Sequence, residues 1–323
     1  MYLDDLLVAQ KVKRKHLLKD EGQALNAGGS GKTSVEYPDT KLVDEICQGY
    51  EDAGFPRAMK KSFREQLEFR AWGAEVKGDK GQVAAPLSMR RELWKIIGMM
   101  LGAKGATKGI LQQVLGHICF CLQFRRECYS LLHHCFKYVE DLAEGVWVKL
   151  PSFICDELRS VGCHLPFCRS DLRRRVSRSV VATDATPSSG GSTRATACTA
   201  LVHKLFKRCC CRGKQLRLDA LQSQELEDEK NYLQSDVIDA LGESLRWRIT
   251  KQYSFRETSH INLQELRAIK KEVVDWSRHS QDSSRRSIHC MLCDSAVVIG
   301  AVNKGRSSSF KLMYYAPFYL TIS

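Results

Sequence analysis

Val180-Val181-Ala182-Thr183-Asp184 is a β-branched run that closes on a carboxylate. Side chains alternate along a strand, so Val180, Ala182 and Asp184 share one face, and the acid stands where an otherwise apolar strand runs out. Downstream, Ser287–Asp294 repeats the arrangement: Ile288, Cys290, Leu292 and Asp294 fall on one face of a strand expected over Ser287–Cys293. Between the two, Leu263, Leu266, Ile269, Val273 and Trp276 recur at helical spacing, and Glu265, one turn before Ile269, lies on the margin of that stripe. Thr193 to Leu201 reads as a second strand after a turn at Ser188–Gly191. Two strands, a long amphipathic helix over Asn262–Trp276 and another strand predict an α/β unit whose sheet contains a parallel pair.

Two acids that close strands and one that projects from the packed helix would repel one another unless a hard cation such as Mg²⁺ (or Mn²⁺) neutralised them. Hydrolysis of a phosphodiester uses such a site. Two metals about 4 Å apart activate the attacking water and stabilise the leaving oxygen of an in-line displacement. Taken singly, each acid also reads as a solvated strand end or a helix-flank charge.

Working outward, Pro151 to Arg178 mixes proline, cysteine and the basic run Arg173-Arg174-Arg175, and reads as a connection. Before it, three helical stripes follow one another: Leu93, Ile97, Met100 and Leu101; Leu111, Val114, Leu115 and Ile118; Cys128, Leu131, Leu132, Cys135 and Val139. Ser88 and Thr107 are the expected N-caps. Arg125 and Arg126 sit between the second and third helices, where they either touch a backbone phosphate or are solvated. Earlier still, Trp72, Ala74 and Val76 alternate, the pattern breaks at Gly78-Asp79-Lys80-Gly81 and resumes with Val83, as in a β-hairpin. The resulting division is 1–86, 87–150, a linker over 151–178, and 179–323, with 202–250 as an insertion.

The 323 residues are 43% hydrophobic, so disorder is not the default and two or three compact units are allowed. Fifty Lys and Arg against 37 Asp and Glu give a formal charge of +13, which favours a polyanionic partner. The 14 cysteines sit in a long chain that opens Met1-Tyr2-Leu3-Asp4-Asp5, which is no signal peptide, so they read as reduced thiols and the protein as intracellular, in cytoplasm or nucleus. No apolar run approaches the roughly 20 residues of a membrane-spanning helix, so no membrane partner is expected.

Three stretches then resemble the ribonuclease H motifs of retroelements, in the family's order. They are Thr183-Asp184-Ala185-Thr186, His260-Ile261-Asn262-Leu263-Gln264-Glu265-Leu266-Arg267-Ala268, and Leu292-Cys293-Asp294-Ser295-Ala296-Val297-Val298-Ile299-Gly300-Ala301. The similarity is to reverse transcriptase and ribonuclease H polyproteins of DIRS-like and related retrotransposons, whose helix motif reads His-x-Asn-x-x-Glu. By that resemblance Asp184, Glu265 and Asp294 are catalytic metal ligands for Mg²⁺ or Mn²⁺.

Tyr2-Leu3-Asp4-Asp5 resembles the Tyr-x-Asp-Asp turn of reverse transcriptase palms, which implies that Asp4 and Asp5 are catalytic and bind the polymerisation metals. Phe69-Arg70-Ala71-Trp72-Gly73-Ala74-Glu75-Val76 is similar to the hairpin that holds the primer end, and the helices after it to a thumb. The implied fold is α/β: the end of a palm, a helical thumb or connection, then a ribonuclease H-like mixed-sheet domain. The implied partners are RNA/DNA hybrid and DNA or RNA. Trp72, Arg125, Arg126, Lys304 and Arg306 are the nucleic-acid-binding candidates.

The sequence also departs from the family pattern. The palm strand carrying another metal-binding aspartate would precede Met1, so upstream polymerase segments are expected to be missing from this chain. Ser295 stands where an asparagine often follows the aspartate. Cleavage of the RNA strand of a hybrid by a ribonuclease H-type endonuclease is the first reading; an inactive, nucleic-acid-binding remnant of a retrotransposon is the alternative. Gly29-Ser30-Gly31-Lys32-Thr33 lacks the leading glycine of a phosphate loop, which Asn26 replaces, and is not read as one. His289-Cys290 with Cys293, and Cys163 with Cys168, lack a second ligand pair and read as buried thiols rather than zinc sites.

Overall fold

The computed structural model describes residues 38–55, 66–208, 243–279, 287–307, 309 and 311–312. The chain divides into two compact units, Met1–Gly81 and Gln82–Ser323. Asp4, Asp5 and the Gly29–Thr33 stretch lie outside the described residues.

The first unit contains helix α1 (Pro38–Asp52) and a hairpin of β1 (Glu68–Ala71) and β2 (Ala74–Lys77), paired antiparallel with Phe69 opposite Val76 and Ala71 opposite Ala74. This corrects the expected strand through Trp72, because the chain reverses there. Trp72 and Gly73 are the two residues of the turn, with φ of 49° and 75°, the pair of positive values that a tight hairpin turn needs to match strand twist. Tryptophan rarely adopts such a conformation, so alternation across it was misleading.

The second unit has a helical part and a sheet part. The helical part holds α2 (Leu87–Ala103), α3 (Lys108–Leu122), a 3₁₀ turn (Arg126–Leu131), α4 (His133–Glu140) and α5 (Ser152–His164). Thr107 caps α3, its Oγ1 accepting the Ile110 N–H at 3.4 Å, but α2 starts after Pro86 with no side-chain cap, so Ser88 is not one. The expected third helix is split at Leu132, where φ −111° and ψ 48° leave the helical region. Most of the expected linker proves to be core. Ile154, Leu158, Val161 and Leu165 recur at i, i+4, i+7 and i+11 and are buried against Ile97, Ile118 and Leu122, each side chain worth about 1.5–3 kcal/mol of transfer free energy. Three short strands, β3 (Gln82–Ala84), β4 (Gly105–Thr107) and β5 (Trp147–Lys149), border these helices; β4 pairs antiparallel with β5, and β6 (Arg169–Asp171), beyond α5, with β3.

The sheet part orders its strands β10-β7-β8-β9: β7 (Arg175–Ala185), β8 (Ser189–Thr196) and β9 (Arg248–Ser254) form an antiparallel meander, and β10 (Ser287–Leu292) lies parallel to β7. Helix α6 (Thr199–Arg208) places Val202 against Val180 and Cys290 on one face. Helices α7 (Ile261–His279) and α8 (Ala296–Lys304) pack Leu266, Ile269 and Val298 together with Met291 and Cys293 in a second cluster. The chain is therefore mixed α/β, with the parallel pair the sequence predicted. Several boundaries differ from expectation: β7 starts earlier, at Arg175; β8 runs from Ser189, inside the expected turn, only to Thr196; and the ends of the 202–250 segment belong to the fold, as α6 and the edge strand β9. Gly305 ends α8 at φ 69° with its Cα against the Arg126 carbonyl, and a Cβ there would stand 1.7 Å from that oxygen, so only glycine allows α8 to dock on the 3₁₀ turn.

Candidate metal centre at the strand ends

Parallel pairing puts the carboxyl ends of β7 and β10 at the same edge. The register matches Leu292 with Ala182, so Asp294 and Asp184 each follow two residues beyond a paired position. Ligand sites of parallel sheets form at such edges. Glu265 arrives from α7, which Leu266 and Ile269 anchor in the second core cluster. Its carboxylate accepts the Ala185 N–H at 2.9 Å through Oε1, and the Cys293 thiol donates to Oε2 at 3.8 Å. Asp184 accepts the same Ala185 N–H at 2.8 Å.

Ligand atoms of Glu265, Cys293 and Asp294 all lie within 4.8 Å of one another, the one such group of metal-competent side chains among the described residues. Asp184 is not part of that group. Glu265 is 2% exposed, whereas Asp184 and Asp294 are open to solvent. Burial pushes the Glu265 carboxyl up to about 7; the Ala185 N–H opposes this, and the charges of Asp294 and then Asp184 add to it. Burial likewise raises the Cys293 thiol to about 11, so it stays protonated at neutral pH. The oxygens of Glu265 and Asp294, with those of Asp184 on the adjacent strand, are the donor chemistry of a hard divalent cation, while a protonated thiol is not.

Three further side chains hold this edge in place: Ser295, noted in the sequence for replacing an asparagine, and Gln264 and Glu272, which the sequence does not mark out. Ser295 caps α8, its Oγ accepting the Val298 N–H, and its hydroxyl also donates to Asn262 Oδ1 at 3.3 Å, tying the segment after Asp294 to the first turn of α7. Gln264, wholly buried, donates from Nε2 to the carbonyls of Pro187 at 2.8 Å and Glu257 at 3.0 Å, and so clamps the β7–β8 turn to α7. Glu272, also wholly buried, accepts from Ser192 Oγ at 2.6 Å and pairs with Lys251 at 2.7 Å and Arg194 at 3.2 Å. A buried polar residue inside an apolar stripe was the available signal for both.

The remaining predicted residues fall elsewhere. Trp72 is 62% exposed at the hairpin tip of the first unit. Arg125 is turned onto Glu127, with a side chain 12% exposed. Arg126 is exposed; Arg306, its guanidinium 5.8 Å from the centre of the Phe136 ring, and Lys304 flank Gly305 where α8 meets the 3₁₀ turn. Cys290 points to the Val202 carbonyl on the α6 side while Cys293 points to Glu265, so they do not share a zinc site.

No family model matches the chain, and no curated protein matches it. Among solved structures it is similar to a foamy viral protease-reverse transcriptase in complex with RNA/DNA hybrid, at 14% identity and a TM-score of 0.34, over 95% of this chain and 57% of that one. It is also similar to the foamy viral protease-reverse transcriptase dRH in complex with double-stranded DNA, at 19% identity and a TM-score of 0.32, over 55% of this chain and 32% of that one. The chain thus spans between a third and somewhat over half of these proteins. No helix among the described residues is long and apolar enough to cross a membrane.

Proposed function

We propose that this chain is a retroelement-derived reverse transcriptase fragment whose sheet part is a ribonuclease H-like, metal-dependent nuclease acting on the RNA strand of RNA/DNA hybrids. The observation that carries the reading is Glu265: a buried carboxylate beside Asp294 and Asp184, at the shared end of two parallel strands, without an ion pair among the described residues. Asp184, Glu265 and Asp294 would hold Mg²⁺ or Mn²⁺. When bound, the cation supplies Lewis-acid activation of the phosphodiester and of water. The chain's own contribution is positioning: Ala185 N–H orients Glu265, Ser295 and Asn262 fix the segment that follows Asp294, and Gln264 holds the turn after Asp184. The net charge of +13 suits a polyanionic substrate, and both solved structures reported above contain nucleic acid.

The test is incubation of the full chain with a hybrid labelled on RNA, in Mg²⁺, in Mn²⁺ and in chelator, beside Asp294→Asn. Metal-dependent shortening of the RNA that the variant loses is the expected result; no cleavage in either metal refutes the nuclease. A second reading, an inactive remnant that binds hybrid, is favoured by one observation: Asp184 is folded back on the Ala185 amide while the Cys293 thiol completes the cluster. Salt-sensitive hybrid binding without cleavage identifies it.

A further inference from the structure

A second charged feature lies along α7, apart from the strand ends. Between the edge strand β9 and α7 runs a groove of about 480 Å³. Its helix wall carries Arg267, Lys270, Lys271 and Arg278, which with Val274 follow i, i+3, i+4, i+7 and i+11, one continuous face. Its other wall carries Tyr253 of β9 and Phe255 just past the strand's end, rings edge to face at 5.4 Å, with the Lys271 ammonium 3.4 Å from the Tyr253 ring centre. Asp275 is the carboxylate of the lining, and it is engaged by Lys251 at 3.2 Å.

An ordinary solvated helix face intersperses charges of both signs. Here four helix-borne cations crowd a half-closed groove, and burial together with neighbouring cations pulls Lys270 and Lys271 below the usual lysine value. Like charges held together in this way bind an anion with repeated charges. From Arg267 to Arg278 the helix rises about 16 Å, which matches about five phosphates at the 3.4 Å rise of one nucleic-acid strand. Arg267 is braced by Gln264 Oε1 at 2.9 Å and by Ser259. The track therefore begins within one turn of Glu265.

We infer that the groove between β9 and α7 is a track for the phosphate backbone of one strand of the nucleic acid, with Lys270 and Arg278 contacting phosphates beyond the strand-end site. This deepens the reading above and rests on it. Lys271, seated on Tyr253, shapes the wall, and Lys251 is committed to Glu272 and Asp275.

The experiment measures hybrid affinity of the full chain by fluorescence anisotropy across a salt series in chelator, for Lys270→Glu, Arg278→Glu and, as a control remote in sequence, Lys41→Glu. Each groove variant is expected to weaken binding several-fold and to lower the slope of log affinity against log salt by about 1, the signature of one lost phosphate contact, with Lys41→Glu unchanged. Lys270→Gln and Arg278→Gln, which only neutralise, are expected to lower the slope to a similar degree and serve if a reversal fails to fold. Intact binding with unchanged slopes in these variants overturns the track and leaves the nuclease reading standing. Absence of hybrid binding by the unaltered chain overturns both.

Discussion

Replacing Glu272 with alanine tests whether the interior of the sheet part is organised around a charge. The side chain is wholly buried, and its carboxylate accepts from the Ser192 hydroxyl while pairing with Lys251 and Arg194. Breaking a buried pair by removing one partner costs about 3–5 kcal/mol, because the other charge is left behind. Two features place this case at the lower end: Lys251 keeps Asp275 at 3.2 Å, and the Arg194 side chain is 36% exposed, so water recovers part of its solvation. The expected loss is about 3 kcal/mol. With a urea dependence of about 2 kcal/mol per molar, the midpoint falls by about 1.5 M, read by tryptophan fluorescence. Asp275→Ala removes a partly exposed pair to the same lysine and should cost less than about 1 kcal/mol. Glu272→Gln keeps an acceptor for Ser192 and should fall between them. Equal midpoints for Glu272→Ala and Asp275→Ala would refute the reasoning.

Glu265→Gln should stabilise the protein at alkaline pH. A carboxyl raised from 4.5 to about 7 on folding holds its proton more tightly in the native state, so stability is full below the unfolded value and is lost as pH rises through 7. The loss is on the order of 3 kcal/mol above that pH, and the variant escapes it. Melting at pH 8 in chelator should therefore favour the variant, with the advantage vanishing near pH 4; equal melting at pH 8 would contradict the assignment. Gln264→Leu leaves the Pro187 and Glu257 carbonyls without their donor and should destabilise by about 1–3 kcal/mol in urea titration; a neutral result would show that the turn needs no clamp. In the helical part, Ile118→Ala empties a fully buried position and should cost about 2–5 kcal/mol, whereas the exposed Ile96→Ala should change little.

What could be read in advance followed the strength of periodic patterning. The strand ending at Asp184, the helix after His260 and the strand ending at Asp294 are dominated by aliphatic residues at one period each, and all three appear with boundaries shifted by a few residues. The edge strand β9 was hidden because its inward positions are Lys251 and Tyr253, polar groups that find partners only in the folded chain. Helix α5 is concealed for the opposite reason: prolines at 151 and 166 and a scatter of cysteines flank and interrupt a regular apolar stripe. Proline at 151 in fact precedes the first turn, where it leaves the helix intact. The Trp72 turn could not be read at all from propensity, since a tryptophan at positive φ contradicts it.

The two buried glutamates of α7 explain why burial alone did not decide the site. Glu265 and Glu272 are seven residues apart, two turns of one helix, and both face the sheet at 2% and 0% exposure. Glu272 is answered by two cations and a hydroxyl from β8 and β9, which is the solution a fold adopts when a buried charge is structural. Glu265 is answered by one amide and one thiol, and its nearest charges are carboxylates of the same sign. The same helix thus shows that the chain can supply compensating cations to a buried acid, and among the described residues none pairs with Glu265 at the strand ends. Among the described residues the site is left short of positive charge beside two further acids, on an otherwise basic protein, and this is the ground on which a cation from outside the chain is proposed there. That deficit, rather than the presence of three acids, is the physical ground for reading the edge as a cation site.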